Sequence, residues 1–200
     1  MKKPSLILLL PLLSLAACGT KSNEGATVTL EQLLENPLYA EQYYDELLDR
    51  MVNLEIQQDP LLEDGGKQSF VDDTQRDALT KSKEATAKQR EGSMGTFVPV
   101  KEEPMGETLY VDNVVYVGPT FTTPPGPTLS IYLSTLVDPR DAAFPEEQAL
   151  DLGRLESPYG AQRYSVPPVE NPLLYRTVVL YDKKLERIYG FAQINRTVTR

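Results

Sequence analysis

Two hundred residues carry 20 Lys+Arg, 29 Asp+Glu, no His and one Cys. Without imidazole there is no Ser-His-Asp or Cys-His engine and no histidine metal site; with one thiol there is no intrachain disulfide and no thiolate cage. The net charge of -9 argues against nucleic acid, whose binding rests on Lys and Arg meeting phosphates.

The chain opens Met1-Lys2-Lys3 and then runs Leu6 to Leu13, interrupted only by Pro11. A basic start and a short apolar stretch make a secretory leader, too short for a spanning helix of about 20 residues. The sequence that follows, Leu15-Ala16-Ala17-Cys18, resembles a bacterial lipobox. The resemblance implies that residues 1–17 are a signal peptide and that Cys18 is lipidated with several acyl chains, a firm anchor. A plain secretory peptide that happens to contain a cysteine is the alternative. Gly19-Thr20 lack the Asp that holds some lipoproteins at the inner membrane, so an outer membrane is expected where the cell has one. Residues 18–28 are small and polar, a tether.

Residues 29–92 read as an acidic helical spacer. Thr29-Leu30-Glu31-Gln32 is a capping box that opens a short helix, and Asn36-Pro37 is the N-cap and first-turn proline of a second. In the second helix Tyr43, Leu47, Met51 and Leu54 share one face, widened by Tyr44, Leu48 and Val52. Asp59-Pro60 and Asp64-Gly65-Gly66 read as breaks. A third helix is expected from about Asp72-Asp73 to Glu91, stopped by Gly92. It is polar nearly all round, which reads as a solvated stalk.

From Met94 the period changes to that of strands. Asp112-Asn113 lies between two apolar runs and predicts a tight hairpin. Leu129, Ile131 and Leu133 alternate with Ser130, Tyr132 and Ser134, a half-buried strand. Leu174 to Tyr181 reads as a central strand, and Leu185 to Ile194 as its successor. Pro124-Pro125-Gly126-Pro127 and Pro167-Pro168 break any helix. The expected fold class is mainly β, with an antiparallel β-sandwich over residues 93–200 preceded by the helical segment. Leu129, Ile131, Leu133, Val178, Leu180, Ile188 and Ala192 are the expected core. Tyr132, Tyr175 and Tyr181 fall out of phase with their aliphatic neighbours and are candidates for an exposed binding face.

The carboxylates Glu146, Glu147, Asp151 and Glu156 are read as surface charge, not as a catalytic pair. Asp59 with Glu63-Asp64-Gly65, Asp72-Asp73 and Asp138 with Asp141 lack the spacing of a calcium loop and are read as turn and cap residues. No metal or other cofactor is expected, and no catalytic residue is assigned.

Five short motifs in order then resemble one family. Gly126-Pro127-Thr128-Leu129-Ser130-Ile131-Tyr132-Leu133-Ser134 is similar to the "GP-x-hydrophobic-x-VYLS" strand of the DM-thirteen (electron-transfer DM) domain. Leu152-Gly153-Arg154-Leu155 is similar to its "LG-x-L", and Gly160 to Pro167 to its "G-x-Q-x-Y-x-hydrophobic-P". Val178 to Tyr181 resembles its penultimate strand and Tyr189-Gly190-Phe191-Ala192 its terminal "FG-x-A"; Gly95-Thr96-Phe97 resembles its opening. The resemblance implies an all-β extracytoplasmic domain with Pro127, Gly153, Gly160 and Tyr164 at turns and packing points. It also implies a proposed redox role resting on a cysteine after the penultimate strand, where this chain has Asp182. Asp cannot cycle between thiol and disulfide. The expectation is therefore a lipid-anchored, non-enzymatic protein of the cell envelope that binds an envelope protein or matrix component. An extracytoplasmic electron-transfer domain is the alternative.

Overall fold

A computed structural model describes residues 28–196. The expected signal peptide, Cys18 and all but the end of the tether lie outside the described residues. The helical segment comprises α1 (Leu30–Leu34), α2 (Pro37–Ile56) and α3 (Gly65–Glu91). Both signals at its start operate. Thr29 and Gln32 exchange the two capping-box bonds, and the Asn36 side chain accepts from Leu38 N at 3.0 Å.

Helix α3 begins seven residues before the expected Asp72. Asp64 accepts from Gly66 N and Lys67 N, at 2.9 and 3.2 Å, so Gly65-Gly66 form a capped first turn and not a break. Nor is α3 a solitary stalk. It runs back along α2 and buries Val71, Ala78, Ser82, Ala85 and Gln89, a stripe whose small members let the two helices approach closely. Thr86 Oγ1 donates to Glu41 at 2.8 Å, and Gln89 Nε2 donates to Glu41 and to Pro37 O at 2.7 and 3.0 Å. Ala78 is fully buried. Replacing Ala78 with Leu is expected to overpack this seam and cost about 2 kcal/mol, read by thermal unfolding.

Nine strands follow: β1 (Ser93–Pro99), β2 (Glu107–Val111), β3 (Val114–Val117), β4 (Leu129–Ser134), β5 (Leu150–Arg154), β6 (Gln162–Ser165), β7 (Thr177–Asp182), β8 (Arg187–Gln193) and β9 (Asn195–Arg196). All pair antiparallel, in the order β5-β4-β7-β8-β1-β2-β3-β6, with β9 beside β1. Mainly antiparallel β after a helical segment is thus the architecture. Strand β1 joins the two halves of the sheet: its first four residues pair with β2, its last three with β8. A Cβ on Gly95 would lie 2.3 Å from Gln193 O, so only glycine fits this crossing. The sheet curls into a near-barrel whose end strands, β5 and β6, approach without a ladder between them. At the β2–β3 hairpin Asp112 and Asn113 both take positive φ (50° and 57°), as a two-residue hairpin turn of the primed type demands.

Phe97, Phe121, Leu129, Ile131, Leu133, Val178, Leu180 and Ala192 fill the interior. The expected core member Ile188 is misplaced. The β7–β8 register steps from Leu180↔Gly190 to Tyr181↔Ile188, so Tyr189 is an extra residue. This bulge turns the Tyr189 ring into the core and leaves Ile188 half-buried on the outer face. Outside β1, β2 and β3, Leu38 of α2 packs with Leu109 and Val111. Asn36 Nδ2 donates to Val117 O at 2.8 Å, while Glu35–Arg163 and Lys88–Asp112 form ion pairs. Both ends of the helical hairpin are therefore seated on the sheet. A hairpin that returns to its starting surface adds no distance between its two ends.

Candidate functional site

Several of the matched motifs meet at one end of the near-barrel. Asp182 closes β7 and is fully buried. Its Oδ1 accepts from Thr128 Oγ1, Leu185 N and Lys184 N at 2.7, 3.0 and 3.1 Å. Its Oδ2 accepts from Thr128 N at 2.9 Å. Burial pushes the carboxyl upward, but the bonds from the Thr128 side chain and from the Thr128, Leu185 and Lys184 backbone outweigh it and hold the group below the usual carboxylate range. Lys184 N also donates to Thr128 Oγ1 at 2.9 Å, so the turn after β7 and the Pro127–Thr128 turn are sewn together. Gly126 lies directly over this knot. A Cβ there would stand 2.7 Å from Tyr189 Oη and 2.8 Å from Asp182 Oδ2.

On the other side of Gly126 opens a cleft of about 470 Å³. Pro125, Gly126, Leu129, Leu155 and Pro158 form its apolar walls; Arg154 and Glu156 bring one guanidinium and one carboxylate. Leu155 N donates to Leu129 O at 2.9 Å, which fixes the two leucines side by side. Arg154 follows Gly153, whose positive φ (113°) belongs to the bulge where Ile131↔Gly153 steps to Tyr132↔Asp151. Such a cleft can hold an apolar group that carries a charge at its edge. Pro127 sits in its turn, Gly160 (φ 80°) in another, and Tyr164 is buried in the core.

The three candidate tyrosines do not form an exposed face. Tyr132 and Tyr181 lie together on the outside of β4 and β7, but Phe144 from the loop after β4 covers them. Centroid distances are 5.8 Å between the tyrosines, and 5.5 and 5.2 Å from them to Phe144. Burial, followed by the Asp151 charge, raises the Tyr132 phenol above its ordinary range. Tyr175 lies elsewhere, half-buried against the inner core after the turn Pro172–Leu174. The physical reason is coverage: the strand pattern shows which face a side chain takes, not whether a distant loop lies over it.

Several of the other candidate carboxylates have local partners. Asp59 accepts from Leu61 N at 2.9 Å, and Asp138 holds Arg140 and its backbone N–H. Asp151 pairs with Lys183 and accepts from Gly153 N at 3.0 Å. Glu146 Oε1 accepts from Ser134 Oγ at 2.6 Å and Thr135 N at 3.0 Å, while its buried Oε2 has no hydrogen-bond partner among the described residues. Among the described residues no three His, Cys, Asp or Glu side chains converge as metal ligands would.

Sequence reasoning missed Gln162. Its carboxamide ties the loop that joins β5 to β6 back onto β6, accepting from Tyr164 Oη at 2.7 Å and from the N–H groups of Glu156 and Ser157, each at 3.1 Å. Its amide donates to Ser157 O at 2.8 Å. A polar residue at an inward strand position, in phase with Tyr164 and Val166, was the available signal.

No protein-family model, curated protein or solved structure matches the chain.

Proposed function

We propose that this protein is a lipid-anchored component of a bacterial cell envelope that binds another envelope or matrix component and performs no catalysis. The observation that carries the reading is Leu15-Ala16-Ala17-Cys18 behind a basic and apolar leader. The five ordered motifs that resemble the DM-thirteen domain support an extracytoplasmic setting. Asp182 supports a domain without the family's redox step, because its carboxylate is committed to joining two turns. The cleft beside it supports binding: its walls are apolar, with one charge of each sign at the edge. Val28 lies ten positions after Cys18, a reach of at most about 35 Å when fully extended. A lipid on Cys18 would therefore keep the near-barrel close to the bilayer.

Metabolic labelling with palmitate tests the anchor. The wild type is expected to take label and to accumulate unprocessed under globomycin, and Cys18→Ala to abolish the labelling. Release of the wild type as an unlabelled soluble protein would overturn the reading.

A further inference from the structure

We infer that the far end of the helical hairpin is a docking surface for a partner protein segment with an apolar centre and a Lys/Arg rim. The inference rests on the binding reading above and is independent of the anchor. Among the described residues the hairpin is tied to the sheet at its sheet-proximal end, by Asn36 and Leu38 at the start of α2 and Lys88 near the end of α3. From Ala40, the last buried residue of α2, sixteen residues lead to Ile56, about 24 Å of helix.

At that end Ile56 is 71% exposed, Phe70 69% and Leu61 39%. A single exposed apolar side chain is ordinary; three within one helical turnaround, none of them in a buried cluster, single this end out. The turnaround is built to hold its shape. Asp59 caps the short turn Pro60–Glu63, Asp64 caps α3, and Gln75 Nε2 donates to Glu55 at 2.8 Å across the pair. A surface already rigid loses less entropy on binding.

Charge selects the occupant. Between Glu55 and Arg76 stand six carboxylates, Glu55, Asp59, Glu63, Asp64, Asp72 and Asp73, against Lys67 and Arg76. This rim repels an anionic bilayer and a second copy of itself, and it attracts a basic one.

The test is site-specific photo-crosslinking with the full chain in the cells that make it. A benzophenone side chain replaces Phe70 in one variant and the exposed Tyr159, beside the cleft, in another. Mass spectrometry identifies the captured peptide. The expected product at position 70 is a peptide of another protein carrying apolar side chains and Lys or Arg. Its yield should fall at least fivefold with Glu63→Lys plus Asp72→Lys, which leave the thermal midpoint unchanged. Capture of a second copy, capture of lipid, or a yield indifferent to the charge reversal overturns the inference. Capture at 159 alone overturns it and leaves the binding reading standing; capture at neither position overturns both.

Discussion

Asp182→Ala is expected to lower the unfolding free energy by about 3 kcal/mol, measured by urea denaturation. The side chain is fully buried and accepts four hydrogen bonds, so its removal leaves donors of Thr128, Lys184 and Leu185 facing a void. Asp182→Asn separates charge from shape. Three of the bonds end on Oδ1 and survive if the amide oxygen takes that place; the amide nitrogen then confronts Thr128 N–H. About half of the alanine loss is expected. Asp182→Cys supplies a weak acceptor and should behave like alanine. The pH dependence follows from the lowered native pKa. A depressed carboxyl contributes its full stability above the unfolded value of about 3.9 and loses it as pH falls through the native value. Wild-type stability should therefore decline below about pH 4, with a shallower decline in Asp182→Asn. Equal slopes in the two proteins would remove Asp182 from this account.

The same residue marks how far local signals carry. Asp182 was legible as a departure from a motif, but its two bonds from Thr128 were not, because Thr128 lies far away in sequence. Features written within a few residues were legible: the capping box at Thr29, Asn36-Pro37, the turn at Asp112-Asn113 and the inward phase of Leu129, Ile131 and Leu133, although Ser130, Tyr132 and Ser134 on the other face are buried too and the strand is not half-buried. The start of α3 was not, since Gly65-Gly66 signal a break unless the Asp64 cap is weighed against them. Its packing was also hidden. Ala78, Ser82 and Ala85 form a helical stripe that is small rather than hydrophobic, and a reading tuned to large apolar residues passes over it. Ile188 shows a third limit. One bulge residue reverses the phase of every side chain before it, and nothing local announces Tyr189 as that residue.

These limits also relocate the functional question. With Tyr132 and Tyr181 covered by Phe144, the two surfaces that the proposals above rest on are the cleft beside Gly126 and the end of the helical hairpin. The two are separate in sequence and opposite in character. The cleft is a concavity with a balanced pair of charges; the hairpin end is a convex apolar patch in an acidic rim. A small amphipathic group suits the first and a protein segment the second.

Gln162→Ala should loosen the seam between β5 and β6. Those strands share no ladder, and the Gln162 carboxamide pins the loop that joins them, meeting the backbone of Glu156, Ser157 and Gly160. Its loss leaves the N–H of Ser157, the carbonyl of Ser157 and the hydroxyl of Tyr164 without these partners in a largely buried place. An expected cost of about 3 kcal/mol follows. Tyr164 is part of the same unit: Glu156 N donates to its oxygen at 3.1 Å, and its hydroxyl donates to Gln162 Oε1 at 2.7 Å. Burial holds that phenol protonated and able to donate. Tyr164→Phe alone should cost about 1.5 kcal/mol, and the double variant less than the sum, because the two side chains share a bond. Hydrogen exchange localises the effect. In Gln162→Ala, amide protection should fall at Glu156 and Ser157 while the β4–β7 ladder, buried on both faces, keeps its protection. Loss of protection throughout the sheet would mean that the seam is no separate closure but part of the cooperative core.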